Sequence, residues 1–554
     1  MCIEYTISVP GLRPILSHKQ CRYAAGCIIC LSALFRLLYL AINCPIDLVG
    51  DEAHYWDWSR HLDWSYYSKG PLVAWIIRLS CEVFGSISVS LTGSEMLAVR
   101  LPAVLFSAML LVSLYILTVQ TLRRETLALG VVAAASTIPL ISAGAVLMTI
   151  DAPYVCIWGW ALVAAHRAVF RAKEPSGRRT GLWIWLLLGF LIGTGILAKY
   201  TMILFVPFLG LFLLATPSKR MNFRRPGFWA MSVVSALCCL PILIWNWQHD
   251  WVTLRHTAGQ VGIGTSGDIL GPFRYVTLQF GILLGFWFIA WAAAIWKYRP
   301  WRQKDDQLGY LWWLSAPMFV FFLLFSFKDG GGEPNWPVTA YLSGSVLAAL
   351  FLAEELKRVG ELRRKLLVST LAGFCLFGIL GTVVLYRSTL IQPLLERFVG
   401  QPGPGNELPL SKVDPSIRLR GWKYLASEVD LVRAQLEAHG IDPVIVSNNW
   451  SIVGELAFYC HGHPDVYTIG TALGDRHSQY DIWRPNPVAD PEAFAGRTMI
   501  IVGGERNDFL AAFDEVGESQ TIQYFSGIQP IAQWNITVGR GFDGFPNRAG
   551  VAGY

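Results

Sequence analysis

"VGDEAHYWDWSRHLDWSYYSKGP" (Val49–Pro71) begins shortly after an apolar run at 23–42. It packs two adjacent acids, a dense set of Trp and Tyr residues, His54, His61 and Lys69 into one short stretch. So polar and aromatic a segment beside a membrane-length run asks what the chain around it is.

The 554 residues are 53% hydrophobic and only 15% charged. Soluble domains carry about a quarter charged residues, so the deficit points to a bilayer. Trp and Tyr favour membrane–water interfaces, which suits the aromatic content of 13%. The net charge of +6 is explained by membrane topology, and nucleic acid is not expected as a partner. Most of the 11 cysteines sit in apolar runs and show no zinc spacing.

Runs of roughly 17–25 apolar residues span a bilayer. They fall near 23–42, 97–121, 126–147, 154–170, 182–198, 201–216, 227–246, 273–296, 308–327, 336–353 and 366–386. The fold class expected is a polytopic α-helical membrane protein of about 11–13 transmembrane helices with a soluble C-terminal α/β domain. The piece 71–84 reads as re-entrant or interfacial, and the first run as a retained helix. Basic clusters fall after alternate runs, among them Arg123 and Arg124, Lys219 to Arg225, Lys297 to Lys304 and Lys357 to Lys365. That side is cytoplasmic by the positive-inside rule, with the N-terminus on it. The opening stretch, "TIDAP" (149–153), "LAKYT" (197–201), "NWQHDW" (246–251) and "EPNWP" (333–337) then all face outward.

Three regions follow: a membrane domain (1–386), a linker (387–416) containing the Pro/Gly-rich "QPGPG", and an extracytoplasmic α/β domain (417–554). In the last, "GWKYLASEVDLVRAQLEAHG" reads as a helix ended by Gly440. "PVIVSNN" and "TMIIVGG" read as buried strands, "ELAFYCHG" and "NDFLAAFDEV" as helical pieces.

Among the outward residues, Asp51 and Asp151 are the candidate catalytic pair, one as base and one as orienting group. The same two acids, with His249, are also candidate oxygen and nitrogen ligands for a divalent cation; His249 and His256 flank Asp250 without the spacing of a zinc motif. Lys69, Lys199 and Lys328 run against the charge trend of their side, and a cavity lined with ammonium groups concentrates phosphate. Arg60, Arg100 and Arg255 are further cations on that face. Glu52, Tyr55 and Glu333 complete the candidate substrate-binding set, although an acid at a helix start is equally a structural feature.

At this point a resemblance is specific. "DEAHYWDWSRHLDWSYYSKGPLVAWIIRL", "TIDAP", "LAKYT", "NWQHDW" and "EPNWP", in that order, resemble landmarks of bacterial membrane glycosyltransferases related to protein O-mannosyltransferases and the lipid A aminoarabinose transferase, of the glycosyltransferase C superfamily. "RLRGWKYLASEV", "GELAFYCHGHP" and "QYDIW" look like a C-terminal domain of one bacterial branch. The resemblance implies an inverting transferase in the bacterial inner membrane, using a polyprenyl-phosphate sugar donor and an extracytoplasmic glycolipid or glycan acceptor, with lipid A or lipopolysaccharide preferred. It implies that Asp51 is the general base, Asp151 the second acid, and Lys69 a holder of the carrier phosphate. Ser68 stands where the aminoarabinose branch has a carboxylate tied to metal binding. Protein O-glycosylation is the alternative within the same architecture. A transporter of lipid-linked or small anionic substrates is the alternative in a different class, and it normally places its charges near the bilayer midplane.

Overall fold

The computed structural model describes residues 16–42, 44–170, 180–260, 267–329, 332–400, 402–403, 407–503 and 511–545. Apolar runs become helices because a bilayer offers backbone N–H and C=O groups no other partner. The chain opens with α1 (His18–Ile42), α2 (Gly50–Arg60), α3 (Leu72–Thr92) and α4 (Met96–Leu122). Here the structure departs from the sequence reading, since 71–84 is only the first part of α3, a helix long and apolar enough to cross a membrane. The serines that dilute its second half return their hydroxyls to backbone carbonyls, Ser90 to Ser86 at 2.8 Å and Ser88 to Ser94 at 2.6 Å.

The run 126–147 breaks into α5 (Glu125–Thr137) and α6 (Pro139–Gly144), because Pro139 has no N–H to continue the ladder. Then come α7 (Asp151–Phe170), α8 (Thr180–Ala198), α9 (Phe205–Ala215), α10 (Pro226–Cys238), α11 (Leu240–Gln248) and α12 (Val252–Gln260). After them, α13 (Gly271–Ile282) and α14 (Phe286–Lys297) meet at 114° around Gly285, whose φ of +66° suits glycine. The bundle closes with α15 (Asp306–Trp313), α16 (Ala316–Asp329), α17 (Ala340–Arg358) and α18 (Glu361–Tyr386). Among the described residues, seven helices meet the length and composition of a membrane span, or eight if the bent pair counts as one. The sequence suggests more because 126–147 and 201–216 fold as broken or shorter helices, while α7 and α17 carry charged last turns.

Basic clusters and cavity-facing residues sit at opposite ends of their helices. In α4, Arg100 lies near the end that meets α2, and Arg123 caps the other. In the α14–α17 pair, Lys297 bridges Glu354 and Glu355 at 2.9 and 3.1 Å, far along α17 from its start.

The C-terminal region adds α19 (Gln392–Val399), α20 (Trp422–Ala438) and α21 (Trp450–Tyr459). Its sheet comprises β1 (Val444–Ser447), β2 (Val466–Thr468), β3 (Met499–Val502), β4 (Phe513–Val516), β5 (Gln520–Ser526) and β6 (Gln529–Phe542). Strands β2, β1 and β3 are parallel, and β6 runs antiparallel between β3 and the β4/β5 side, with Ile501 opposite both Val446 and Thr537. "NDFLAAFDEV", read as helical, ends in β4; residues 507–510 of it lie outside the described residues. The pairing of Phe513 and Glu515 with β6 overrides its helix-like spacing. Described residues of 387–416 lie against the sheet, with Leu395 and Leu410 packed near Ile531 and Tyr524.

One continuous core joins this region to the membrane bundle, since Leu48, Ala53, Trp56 and Val99 cluster with Leu425, Val453, Leu456 and Ile500. Helix α21 lies directly on α2. A Cβ on Gly454 would stand 2.9 Å from the His54 nitrogen, and one on Gly50 would stand 2.7 Å from Ser451 Cβ. Two glycines therefore let the backbones approach and fix how α2 presents its side chains.

Candidate active site

Where α2, the ends of the bundle helices and the C-terminal region meet, a cavity of about 810 Å³ opens. Its wall includes Asp51, Tyr55, Lys69, Asp151, Lys199 and Glu333, drawn from four separate stretches of sequence.

Asp51 is placed by its neighbour. Glu52 is fully buried and accepts from Arg100 Nη2 at 2.7 Å and Nε at 3.1 Å, from Met148 N at 2.7 Å and from Val49 N at 3.0 Å. Arg100 also donates to the carbonyls of Asp47 at 2.7 Å and Ile46 at 3.2 Å. This clamp ties the first turn of α2 to α4 and to the segment before α7. With Glu52 turned inward, Asp51 opens to the cavity. Burial pushes the Asp51 carboxyl above the usual carboxylate range, with Asp151 and Glu52 adding and Lys69 and Arg476 opposing. A carboxyl raised in this way suits a proton acceptor.

Lys69 is set by Gly70, where any Cβ would stand 2.1 Å from the Leu197 carbonyl oxygen. Only glycine lets this loop lie against the end of α8, which brings Lys69 towards Lys199. Burial, then Lys199, holds the Lys69 ammonium below the ordinary lysine range, and Asp51 and Asp151 partly offset this.

Asp151 begins α7. Its Oδ1 accepts from Lys199 Nζ at 2.7 Å and its Oδ2 from Asn335 Nδ2 at 2.7 Å. Both oxygens are thus engaged, and Lys199 also lies 5.5 Å from the Tyr154 ring centroid. This geometry suits an orienting group better than a base.

The other candidates lie elsewhere. Glu52 and Arg100 form the clamp rather than the wall. Arg60 pairs with Asp57 at 3.2 Å and Asp465 at 3.3 Å, joining the end of α2 to the C-terminal region. His249 stacks flat on Trp245 with centroids 4.0 Å apart, outside the wall. Lys328 is exposed near the end of α16, also outside it. Arg255 donates to the Asp250 carbonyl at 2.5 Å. Among the described residues, no group of three or more His, Cys, Asp or Glu side chains converges as a metal site. The carboxylate–His249 set therefore does not assemble.

Several wall residues were not singled out from sequence: His54, Trp450, Arg418, Arg476 and Gln479. His54 lies inside the opening stretch, packed on Trp58, Trp450 and Tyr480 with centroids 4.8 to 5.1 Å apart. Burial, then Arg476, pushes its imidazole down to about 3. His256 stacks on Tyr67 at 4.7 Å and is pushed down to about 4 by burial, then by Arg476 and Lys69. Both imidazoles are therefore neutral near pH 7.

A raised carboxyl and a cation in one hollow, beside an orienting acid, can take a proton from a hydroxyl while stabilising an anionic leaving group. Residues 68–245 match the family model for dolichyl-phosphate-mannose-protein mannosyltransferase. The lipid A galacturonosyltransferase RgtD of Rhizobium johnstonii is 27% identical over 473 residues, covering 83% of this chain and 84% of that protein. Among solved structures, ArnT of Cupriavidus metallidurans bound to undecaprenyl phosphate superposes with a TM-score of 0.60 at 15% identity, over 94% of this chain and 99% of that one. The apo form of the same protein gives 0.55 at 15% identity, over 95% and 100%. The likeness in fold, the matched segment and the relative in sequence agree: this chain is a multi-pass membrane protein that shares the fold of ArnT and is similar to membrane glycosyltransferases.

Proposed function

We propose that the enzyme moves a sugar from a polyprenyl-phosphate donor to lipid A or a related surface glycolipid, with inversion at the anomeric carbon, on the extracytoplasmic face of a bacterial inner membrane. The observation that carries this is the shared cavity of Asp51, Lys69 and Asp151 at the end of the bundle remote from the basic clusters. The named substrates of the RgtD relative and the undecaprenyl phosphate bound to ArnT support donor and acceptor class.

In this reading the acceptor oxygen attacks the anomeric carbon as its proton passes to Asp51. The bond from that carbon to the phosphate oxygen breaks, and polyprenyl phosphate leaves with the electron pair. Lys69 stabilises the charge gathering on it. If the acceptor is already an ionised phosphate, Asp51 orients it without taking a proton. The Asp151–Lys199–Asn335 set holds the cavity floor and keeps a second positive charge near the leaving group without leaving it unpaired. The bundle roles fall to residues 1–386 and the cover of the cavity to residues 417–554.

The test is direct. Purified protein in nanodiscs receives polyprenyl-phosphate sugar and lipid A, and the lipid is weighed by mass spectrometry. A one-sugar mass increment supports the reading. Movement of the donor across the bilayer without covalent transfer would replace it with a transporter, and label appearing on protein would replace the acceptor.

A further inference from the structure

Helix α18 ends at Tyr386, where Tyr39 of α1 donates to the Tyr386 carbonyl at 2.8 Å. The chain beyond it is not a free linker. Ser388 is buried, donates to Asp414 Oδ2 at 2.7 Å and accepts from Arg420. Next to Arg420, the Leu419 carbonyl accepts from the N–H of Asp47, just before α2, at 2.7 Å. Helix α19 is therefore fixed just past the end of α18, on the side of the bundle that holds the cavity.

This helix is apolar on two sides. Leu395 and Val399 pack with Leu410 and Ile531 against the sheet. Leu394 and Phe398, four residues apart and so on one face, lie on the other side with Leu390 before them, and all three are exposed. The β5–β6 turn extends that face. Ser526 donates to Gln392 Oε1 at 2.5 Å, and its carbonyl accepts from Gln392 Nε2 at 2.9 Å. Exposed Phe525 and Ile528 flank this contact, and Phe398 and Ile528 are each 79% exposed. Scattered exposed apolar residues are ordinary, but a contiguous set marks an interaction surface.

Its position says what covers it. Ile379, Leu380 and Val383 are exposed along α18, a helix with the length and composition of a membrane span and little of its surface covered by the rest of the protein. The apolar surface of that span leads directly to Leu390 and α19. Arg387 and Arg397, both exposed, stand beside the apolar row, where guanidinium groups meet headgroup phosphates. A helix with one apolar face and cations at its rim lies in the plane of the bilayer surface, with that face in the acyl boundary.

We propose that α19 and the β5–β6 turn form a membrane-surface anchor: Leu390, Leu394, Phe398, Phe525 and Ile528 enter the leaflet on the cavity side, with Arg387 and Arg397 at its phosphates. The inference is independent of which sugar or acceptor the protein uses. It gives the C-terminal region a second attachment besides α21 on α2. That region supplies Arg418, Trp422 and Trp450 to the cavity wall, so the anchor sets the height of the cavity's cover above the lipid.

The experiment places the photocrosslinker p-benzoylphenylalanine at Phe398 or Ile528 of the full chain, in nanodiscs of phosphatidylcholine and phosphatidylglycerol. Phe377, exposed within α18, is the lipid control, and Glu515, paired with the far end of β6 from the turn, is the water control. Mass spectrometry after irradiation is expected to show lipid adducts at 398 and 528 as at 377, and none at 515. Adducts at 377 alone would overturn the anchor and leave the patch in water. A crosslink from 398 or 528 to a second copy or to another protein would overturn it in favour of a protein interface. Hydroxyl-radical footprinting of the unaltered protein in the same nanodiscs gives a reading free of substitution. Phe398 and Phe525 are expected to stay unoxidised, and oxidation of both would overturn the assignment.

Discussion

Replacing Glu52 by Gln tests whether α2, which carries the proposed base Asp51, is held by the clamp beneath it. The variant keeps shape and one acceptor oxygen but removes the charge facing Arg100 in a site where both side chains have no exposure. Arg100 remains ionised there, and its other hydrogen-bond acceptors among the described residues are carbonyl oxygens and sulfur. Breaking a buried pair in this way costs about 3–5 kcal/mol, because the surviving charge has no water to return to. The loss falls on the first turn of α2, beside Asp51, where misplacement by about 1 Å is worth roughly a hundredfold in rate. Thermal unfolding of purified protein in nanodiscs, read by tryptophan fluorescence, is expected to fall clearly in Glu52→Gln, and kcat to fall with it. The double variant Glu52→Gln, Arg100→Gln should recover part of the stability, since no unpaired charge remains, yet not all, since the Val49 and Met148 N–H groups lose a charged acceptor. If Glu52→Gln unfolds and turns over like wild type, the clamp does not position the base.

Two further predictions follow from charge. The pH profile of kcat/KM should be bell-shaped: activity is lost as pH falls through the raised carboxyl of Asp51, above the usual carboxylate range, and again as pH rises through the lowered ammonium of Lys69, below the usual lysine range. Lys69→Arg should move the alkaline limb upward, and an unmoved limb would detach it from Lys69. Glu455, buried in α21 with neither oxygen paired, is pushed well up by burial, then by Asp47 and Glu52, with Arg100 opposing. The folded state therefore holds a proton the unfolded state has released, and stability falls as pH rises above the ordinary carboxylate range, by up to about 1.4 kcal/mol per pH unit. Glu455→Gln should flatten that slope in melts taken across pH; a slope unchanged by the substitution would refute the assignment.

The sequence marks residues that break its own pattern. Asp51, Lys69, Asp151 and Lys199 are legible because each lies at the ends of apolar runs away from the basic clusters, where charge needs a reason. Glu52 and Asp51 look alike in sequence, and only the helical turn of about 100° per residue sends one to Arg100 and the other to the cavity. Arg476 and Gln479 are hidden for the opposite reason, since they lie in an ordinary polar loop of a soluble domain and gain meaning when α21 seats that domain on α2. Lys328 and His249 show the reverse error, because an outward loop position does not specify which way a side chain points. The extent of α3 is obscured by serines that satisfy themselves within the helix region, and β4 by strand pairing that outweighs local spacing.

In the proposed reaction one carboxylate, at position 51, takes part in the transfer itself. Single-turnover transfer by purified Asp51→Asn, with donor binding measured alongside, tests it. Donor is expected to bind within a few fold of wild type while transfer falls at least about a hundredfold, the lower end for a lost general base. Transfer at the wild-type rate by a folded Asp51→Asn protein would contradict it.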